Sequence, residues 1–252
     1  MDIAERALQL KEDIDNAYEA GKGAMWDNVQ NYGNREDYTE GFAYWGGEEI
    51  NPKYKVAPTS YSSGLFYECR NLKSIDKNLF DLSKAEYYDN DERSAGYNLC
   101  SQCRALEVFP DIGLQAGYYG STWGSCLELH TIEIIRVTET SVFTVGSFRG
   151  CKKLQNILDI VGEIGQNIWF VQSPLLSVDT QKRLIRRLKN YKGTSNSGNY
   201  AFAFNPTAYE ALEASGFTEE DKAWLEDTVG ISWNEEMTWV KVVIALGWIA
   251  SV

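Results

Sequence analysis

Histidine, on which much of the common catalytic and metal-binding chemistry depends, is almost missing from this chain. His130 is the single histidine among 252 residues, and no Walker loop, G-x-S-x-G or H-E-x-x-H pattern occurs. His-dependent triads and multi-His metal sites therefore have little to build on. We predict that the protein is not an enzyme and uses no cofactor and no metal, with His130 an outward-facing polar residue. A carboxylate pair for glycoside hydrolysis stays open, because 36 acidic residues offer many candidates.

Positive charge and long apolar runs are also scarce. Lys and Arg number 24 against 36 Asp and Glu, which gives a formal net charge of −12 at pH 7. Duplex binding needs a positive footprint, so we expect no nucleic acid partner. No apolar run approaches the roughly 18 residues that span a membrane, and the first residues show no secretory signal. We therefore expect no membrane insertion and synthesis in the cytoplasm, whereas 44% apolar residues are enough for a folded core.

One short motif returns four times between Leu65 and Ile157. Each copy places an aromatic or apolar residue, or once a cysteine, then Cys, Leu and finally Ile or Phe, at intervals of three. The copies are Phe66/Cys69/Leu72/Ile75, Cys100/Cys103/Leu106/Phe109, Trp123/Cys126/Leu129/Ile132 and Phe148/Cys151/Leu154/Ile157. A motif that returns every 23 to 34 residues is typical of a solenoid, in which each unit packs against its neighbours.

The cysteines of the motif share one position in successive copies. This placement indicates small buried residues rather than disulfides. Cys100 and Cys103 have C-x-x-C spacing, but no second pair completes a zinc site. Ser173 replaces the cysteine between Phe170 and Leu176 in a decayed final copy. A period of three favours a tight, extended or 3₁₀-like coil over an α-helix, and the segments that link the copies favour short strands in a largely parallel sheet.

These patterns predict an α/β solenoid, flanked by an N-terminal helix and a C-terminal α+β cap. Residues 1–58 form the helix and an aromatic capping or attachment segment, 59–176 the solenoid and 177–252 the cap. The predicted helix caps in the last region are Ser177, Asn205 followed by Pro206, Thr218 with Asp221, and Ser232 with Glu235. One stripe of the N-terminal helix consists of Ile3, Ala7, Leu10, Ile14 and Ala17. The stripe either packs on its own domain or joins copies into a bundle.

Two groups of side chains are candidates for binding. The tyrosines between motif copies suit a surface for protein or glycan, or else pack between the turns; they are Tyr87, Tyr88, Tyr97, Tyr118 and Tyr119. A basic patch lies on the helix after Ser177 and comprises Lys182, Arg183, Arg186, Arg187, Lys189 and Lys192. It either meets an acidic partner, such as the acidic helix of a neighbouring copy, or is a solvated face near a helix C-terminus.

The motif copies together resemble leucine-rich-repeat proteins of the BspA-like type. The matching stretches are LFYECRNLKSI, LCSQCRALEVF, WGSCLELHTI and FRGCKKLQNI. The chain is more closely similar to a group found in gut bacteria and their bacteriophages, through YEAGK at 18–22, the aromatic segment 26–43, NPKY at 51–54 and the final GW at 247–248. The resemblance implies an irregular leucine-rich-repeat array and interaction rather than catalysis.

For phage-borne members, the resemblance implies a structural or host-contacting part of the virion. We therefore predict a non-enzymatic virion protein that acts as a capsid decoration, fibre or tail component. Its expected partners are other virion proteins, further copies of itself through the N-terminal helix, and a host surface protein or glycan. The alternative is a leucine-rich-repeat adhesin that is secreted or held on the bacterial cell surface.

Overall fold

The computed structural model describes the central part of the chain and pieces of both ends. The described residues are 42–43, 45–51, 55–57, 63–85, 94–138, 140–165, 168–188, 202–218, 220–221 and 223. Several predicted site residues lie outside them, namely Ile3, Ala7, Leu10, Ile14, Ala17, Tyr87, Tyr88, Lys189 and Lys192, and so does the predicted cap of Ser232 with Glu235.

The described residues form seven short strands, two helices with defined bounds and a further helical piece at 220–221 and 223. The strands are β1 (Val108–Phe109), β2 (Tyr118–Tyr119), β3 (Thr131–Arg136), β4 (Val142–Phe143), β5 (Asn156–Val161), β6 (Ile168–Phe170) and β7 (Phe202–Phe204). The helices are α1 (Val178–Arg186) and α2 (Pro206–Ala214). Strand pairing is parallel throughout and forms three sheets, in the orders β1-β3-β5, β2-β4 and β6-β7. Parallel pairing was the expected direction.

The prediction of one α/β solenoid, an irregular leucine-rich-repeat array, was wrong. Three separate small sheets replace the expected continuous face, only β3 and β5 reach six residues, and α1 and α2 are the only named helices in the part described. The reason lies in the backbone of the motif. Its N–H groups bond three residues back, as from Leu72 to Cys69 at 3.0 Å, so the motif itself forms turns. Strand pairing is left to the few residues between these turns.

Successive motif copies lie side by side and share one core. The first residue of one copy bonds the residue that precedes the next copy, from Phe66 N to Leu99 O at 2.8 Å and from Trp123 N to Ser147 O at 3.0 Å. The sixteen motif residues are at most 6% exposed. Aromatic rings continue the contact from copy to copy, with centroids 5.1 Å apart for Trp123 and Phe148 and 4.4 Å for Phe148 and Phe170. The periodic motif is therefore the core of the described region, as the spacing predicts.

The motif cysteines are hydrogen-bond donors in this core. Each thiol donates to a backbone carbonyl of the preceding turn, and Ser173 donates with its hydroxyl to a carbonyl three residues further along that turn. The bonds run from Cys69 to Phe42 (3.0 Å), Cys103 to Phe66 (2.9 Å), Cys126 to Cys100 (3.0 Å), Cys151 to Trp123 (3.0 Å) and Ser173 to Cys151 (3.2 Å). All five cysteines are buried and free, which confirms that they form no disulfide.

Helix α1 lies beside the edge strand β5 and occupies the place that a further strand would take. Thr180 Oγ1 accepts a hydrogen bond from Ile157 N at 3.0 Å and lies 3.2 Å from Gln155 O, to which it donates. Arg183 Nη1 donates to Ile157 O. An uncovered strand edge would leave these backbone groups without protein partners. The helix begins at the predicted cap, where the Ser177 hydroxyl accepts from Thr180 N at 3.3 Å.

Helix α2 packs on α1 through a buried amide. Gln181 Nε2 donates to Ala208 O at 2.7 Å and to Leu176 O at 3.0 Å. The predicted start of α2 is confirmed, because Asn205 Oδ1 accepts from Thr207 N at 3.0 Å and Pro206 is the first helical residue. These contacts hold α1 in place from its inner side. The outer side of α1 carries charged residues.

Candidate interaction site

The outer side of α1 carries four cations in two rows. Lys182 and Arg186 are four residues apart, as are Arg183 and Arg187, so each pair lies along one face of the helix or its end. Lys182 and Arg183 are half-buried, whereas Arg186 and Arg187 are exposed. Thr180, Gln181, Leu184 and Ile185 are buried on the inner side. The amphipathic pattern of the sequence therefore predicts this arrangement of charge.

An open groove runs along these cations, and we call it the cationic groove. It has a volume of about 520 Å³ and is lined by Asp159, Asp179, Lys182, Arg183, Arg186 and Arg187. Four positive and two negative side chains give the lining a formal charge of +2. Asp159 comes from β5 and the others from α1 and its end. The groove thus depends on the packing of α1 against the edge of β5.

None of the four cations in the groove has an anionic partner among the described residues. Arg183 is held by its bond to the carbonyl of Ile157. Lys182, Arg186 and Arg187 form no ion pair with any residue in the described ranges. Six other cations of the described residues form ion pairs, as Arg136 does with Asp111. The macrodipole favours cations in the last turn of α1, which accounts for part of this placement.

A second hollow lies on the other side of Lys182 and Arg186. It has a volume of about 410 Å³, and its lining consists of Lys182, Ile185, Arg186, Phe217, Glu220 and Asp221. Asp221 and Thr218 form the predicted capping box, with Thr218 N 2.9 Å from Asp221 Oδ2 and Asp221 N 3.1 Å from Thr218 Oγ1. The backbone bond from Thr218 chiefly lowers the pKa of Asp221, and the nearby charges of Lys182 and Arg186 lower it further. These two cations therefore act on both hollows.

The predicted tyrosine surface is divided between the exterior and the core. Tyr97 and Tyr118 are half-buried and stacked, with ring centroids 5.7 Å apart and planes at 25°. Gly120 lies against both rings, and a Cβ there would come 2.7 Å from a Tyr97 ring carbon. Tyr119 is 1% exposed and stacks on Phe143 at 4.7 Å, so it does not contribute to a binding surface. The cause is the short strand β2, whose successive side chains point to opposite faces.

The motif thiols are buried, and His130 lies beside a threonine hydroxyl. Burial raises the pKa of Cys69, Cys103 and Cys126 well above the ordinary thiol value, and raises that of Cys151 to about 12. The thiols thus stay protonated at neutral pH, whereas a nucleophile or a metal ligand would be a thiolate. His130 Nδ1 lies 2.9 Å from Thr131 Oγ1.

Clusters of metal ligands and membrane-spanning helices are both missing from the described residues. These residues contain no group of three or more His, Cys, Asp or Glu side chains suited to hold a metal ion. They also contain no helix with the length and apolar character that crossing a membrane requires.

The basic patch of the sequence and the cationic groove overlap in Lys182, Arg183, Arg186 and Arg187. Sequence reasoning missed Asp159, which contributes to the groove from 23 residues before Lys182. No local signal could reveal it, since its position depends on α1 lying beside β5. No family model, no curated protein and no solved structure matches this chain.

Proposed function

We propose that this chain is a non-enzymatic structural and interaction protein of a bacteriophage virion, serving as a capsid decoration, a fibre or a tail component. One observation carries the interaction role. Lys182, Arg186 and Arg187, without ion-pair partners among the described residues, line an open groove on a chain of net charge −12. A concentration of positive charge on a negatively charged protein is suited to recognition of an acidic surface. The virion setting rests on the sequence resemblance.

The surroundings of the reactive side chains support a role without catalysis. The four motif thiols donate hydrogen bonds inside the core, where burial raises their pKa. His130 is next to a threonine hydroxyl rather than a carboxylate or a thiol. A general base in a triad needs a nucleophile and an orienting acid within hydrogen-bond reach. Thr131 places a hydroxyl beside His130, but no carboxylate is hydrogen-bonded to the imidazole ring among the described residues.

Mass spectrometry of purified particles tests the proposal. Particles are banded on a density gradient, and peptides of this chain are quantified against the major capsid protein in each fraction. We expect a constant ratio across the particle band. Absence from the band would contradict the proposal. Recovery of the chain from the surface or medium of phage-free bacteria would contradict it too, and would favour the adhesin.

A further inference from the structure

The cationic groove lies at one end of the described region, and the chain that leads into the other end is acidic. Phe42 packs on the first motif copy, with its ring stacked on Phe66 at 6.5 Å and its N–H bonded to Leu65 O at 2.8 Å. Helix α1 covers β5, which begins within the last full copy and contains its final residue, Ile157. Residues 1–20, which precede Phe42, contain six acidic and two basic side chains, a formal charge of −4.

Charge restricts how two copies of this protein can meet. Taking the +2 of the cationic groove from the chain's −12 leaves −14 on the remainder. Most contacts between two copies therefore bring like charges together, which costs free energy. A contact that places acidic residues in the cationic groove is attractive instead. It also supplies partners for Lys182, Arg186 and Arg187.

The acidic residues of the first twenty positions form a second face on the predicted N-terminal helix. At 100° per residue, Glu5, Glu12 and Glu19 recur every seven positions and fall opposite the apolar stripe around Ile14. Asp15 and Leu8 lie on the same face, while Arg6 and Lys11 fall toward its borders. We call Glu5, Glu12, Asp15 and Glu19 the carboxylate face. The helix can therefore bury its apolar stripe and still present this face outward.

The spacing of the carboxylate face matches that of the groove. Asp15 and Glu19 are four residues apart, as are Lys182 and Arg186 on α1, and four residues advance a helix by about 6 Å. Two helices laid side by side can thus align both pairs of opposite charges. Carboxylates are also the natural ligands of the forked arginine side chains at Arg186 and Arg187.

We propose that the carboxylate face of residues 1–20 occupies the cationic groove of a second copy of this chain. Because the two surfaces differ, the contact is heterologous and joins copies head to tail. Repetition of such a contact gives a ring or an array, the form in which copies would cover a particle. This inference rests on the proposed function for its biological setting, whereas the contact itself rests on charge and spacing.

A charge-swap experiment on the full chain tests the contact by sedimentation velocity over a range of concentrations. One variant carries Arg186→Glu with Arg187→Glu, and a second carries Glu12→Arg with Glu19→Arg. We expect each alone to weaken self-association about tenfold, by converting attractive pairs into repulsive ones. An equimolar mixture of the two variants should associate again. The intact carboxylate face of the first variant fits the intact groove of the second, and the arginines introduced in the second fit the glutamates introduced in the first. Association of the wild type should weaken as ionic strength rises past about 0.15 M.

The control variant carries Lys84→Glu with Lys152→Glu, two exposed cations outside the groove that bring the same change in net charge. It should associate like the wild type. Circular dichroism verifies that every variant is folded. A wild type that stays monomeric at all concentrations overturns the inference, as does association that survives reversal of the groove. Absence from particles would refute the proposed function and leave this assay unaffected, so the two failures are distinguishable.

Discussion

At the scale of single residues, one thiol in each motif copy both fills the core and donates a hydrogen bond. Cys126 is fully buried and bonds Cys100 O at 3.0 Å, a carbonyl that also accepts from Cys103 N. Ser173 makes the same kind of bond with oxygen in place of sulfur. The position therefore selects a small side chain with a donor, which explains why cysteine recurs there without any disulfide.

Loss of this donor should lower stability. We expect Cys126→Ala to reduce the free energy of unfolding by about 1–2 kcal/mol, because the cost of a small cavity and the cost of a lost hydrogen bond are combined. Ser173→Cys should stay within about 0.5 kcal/mol of the wild type, since it restores the motif residue. Urea unfolding measures both. A Cys126→Ala protein as stable as the wild type would contradict this role of the thiol.

The buried thiols should also make stability depend on alkaline pH. Burial raises the pKa of Cys151 from 9.0 to about 12, so the folded state keeps a proton that the unfolded chain releases first. The stabilising contribution is complete below about pH 9 and is lost as pH rises from there toward 12. Urea unfolding of the wild type and Cys151→Ala across this range measures the effect. The variant should lose less stability with pH, and equal losses would contradict the prediction.

At the scale of elements, the decisive contact is that of α1 with the edge of β5. Thr180 provides an acceptor for Ile157 N and a donor for Gln155 O, and Arg183 reaches Ile157 O. These bonds both cover the strand edge and direct the cations outward. Their geometry sets the shape of the cationic groove.

Removal of the Thr180 hydroxyl should loosen this contact. We expect Thr180→Val, which keeps the shape of the side chain, to cost about 1–3 kcal/mol because Ile157 N is left buried without a partner. Thr180→Ser, which keeps the hydroxyl, is the control and should cost less. Hydrogen exchange of the Ile157 amide should accelerate in the valine variant alone. Equal exchange in the two variants would show that the hydroxyl does not hold α1 to β5.

The sequence predicts turns, caps and core better than it predicts the assembly of elements. A spacing of three identifies the buried motif residues, and short polar signals identify the caps at Ser177 and Asn205, because both depend on local geometry. The division into three sheets depends on how few residues remain for strands between the turns. Similarly, strand alternation predicts that Tyr118 and Tyr119 point to opposite faces, but which of the two is buried depends on the packing of β2 beside β4.

At the scale of the whole molecule, charge is unevenly distributed. An acidic chain of net charge −12 concentrates four cations around one groove, and none of the four forms an ion pair within the described residues. The sequence predicts only part of the groove, because the cations of α1 share a helical face whereas Asp159 lies on β5. This asymmetry connects the proposed virion role with head-to-tail contact between copies.

Incorporation into particles tests the cationic groove most directly. Particles lacking this chain are supplied in the host with the wild type, the Arg186→Glu/Arg187→Glu variant or the Lys84→Glu/Lys152→Glu control, and copies per particle are counted by quantitative mass spectrometry. We predict that the control matches the wild type while the groove variant falls about tenfold, through lost charge complementarity. Equal incorporation of all three proteins would contradict the role of the groove.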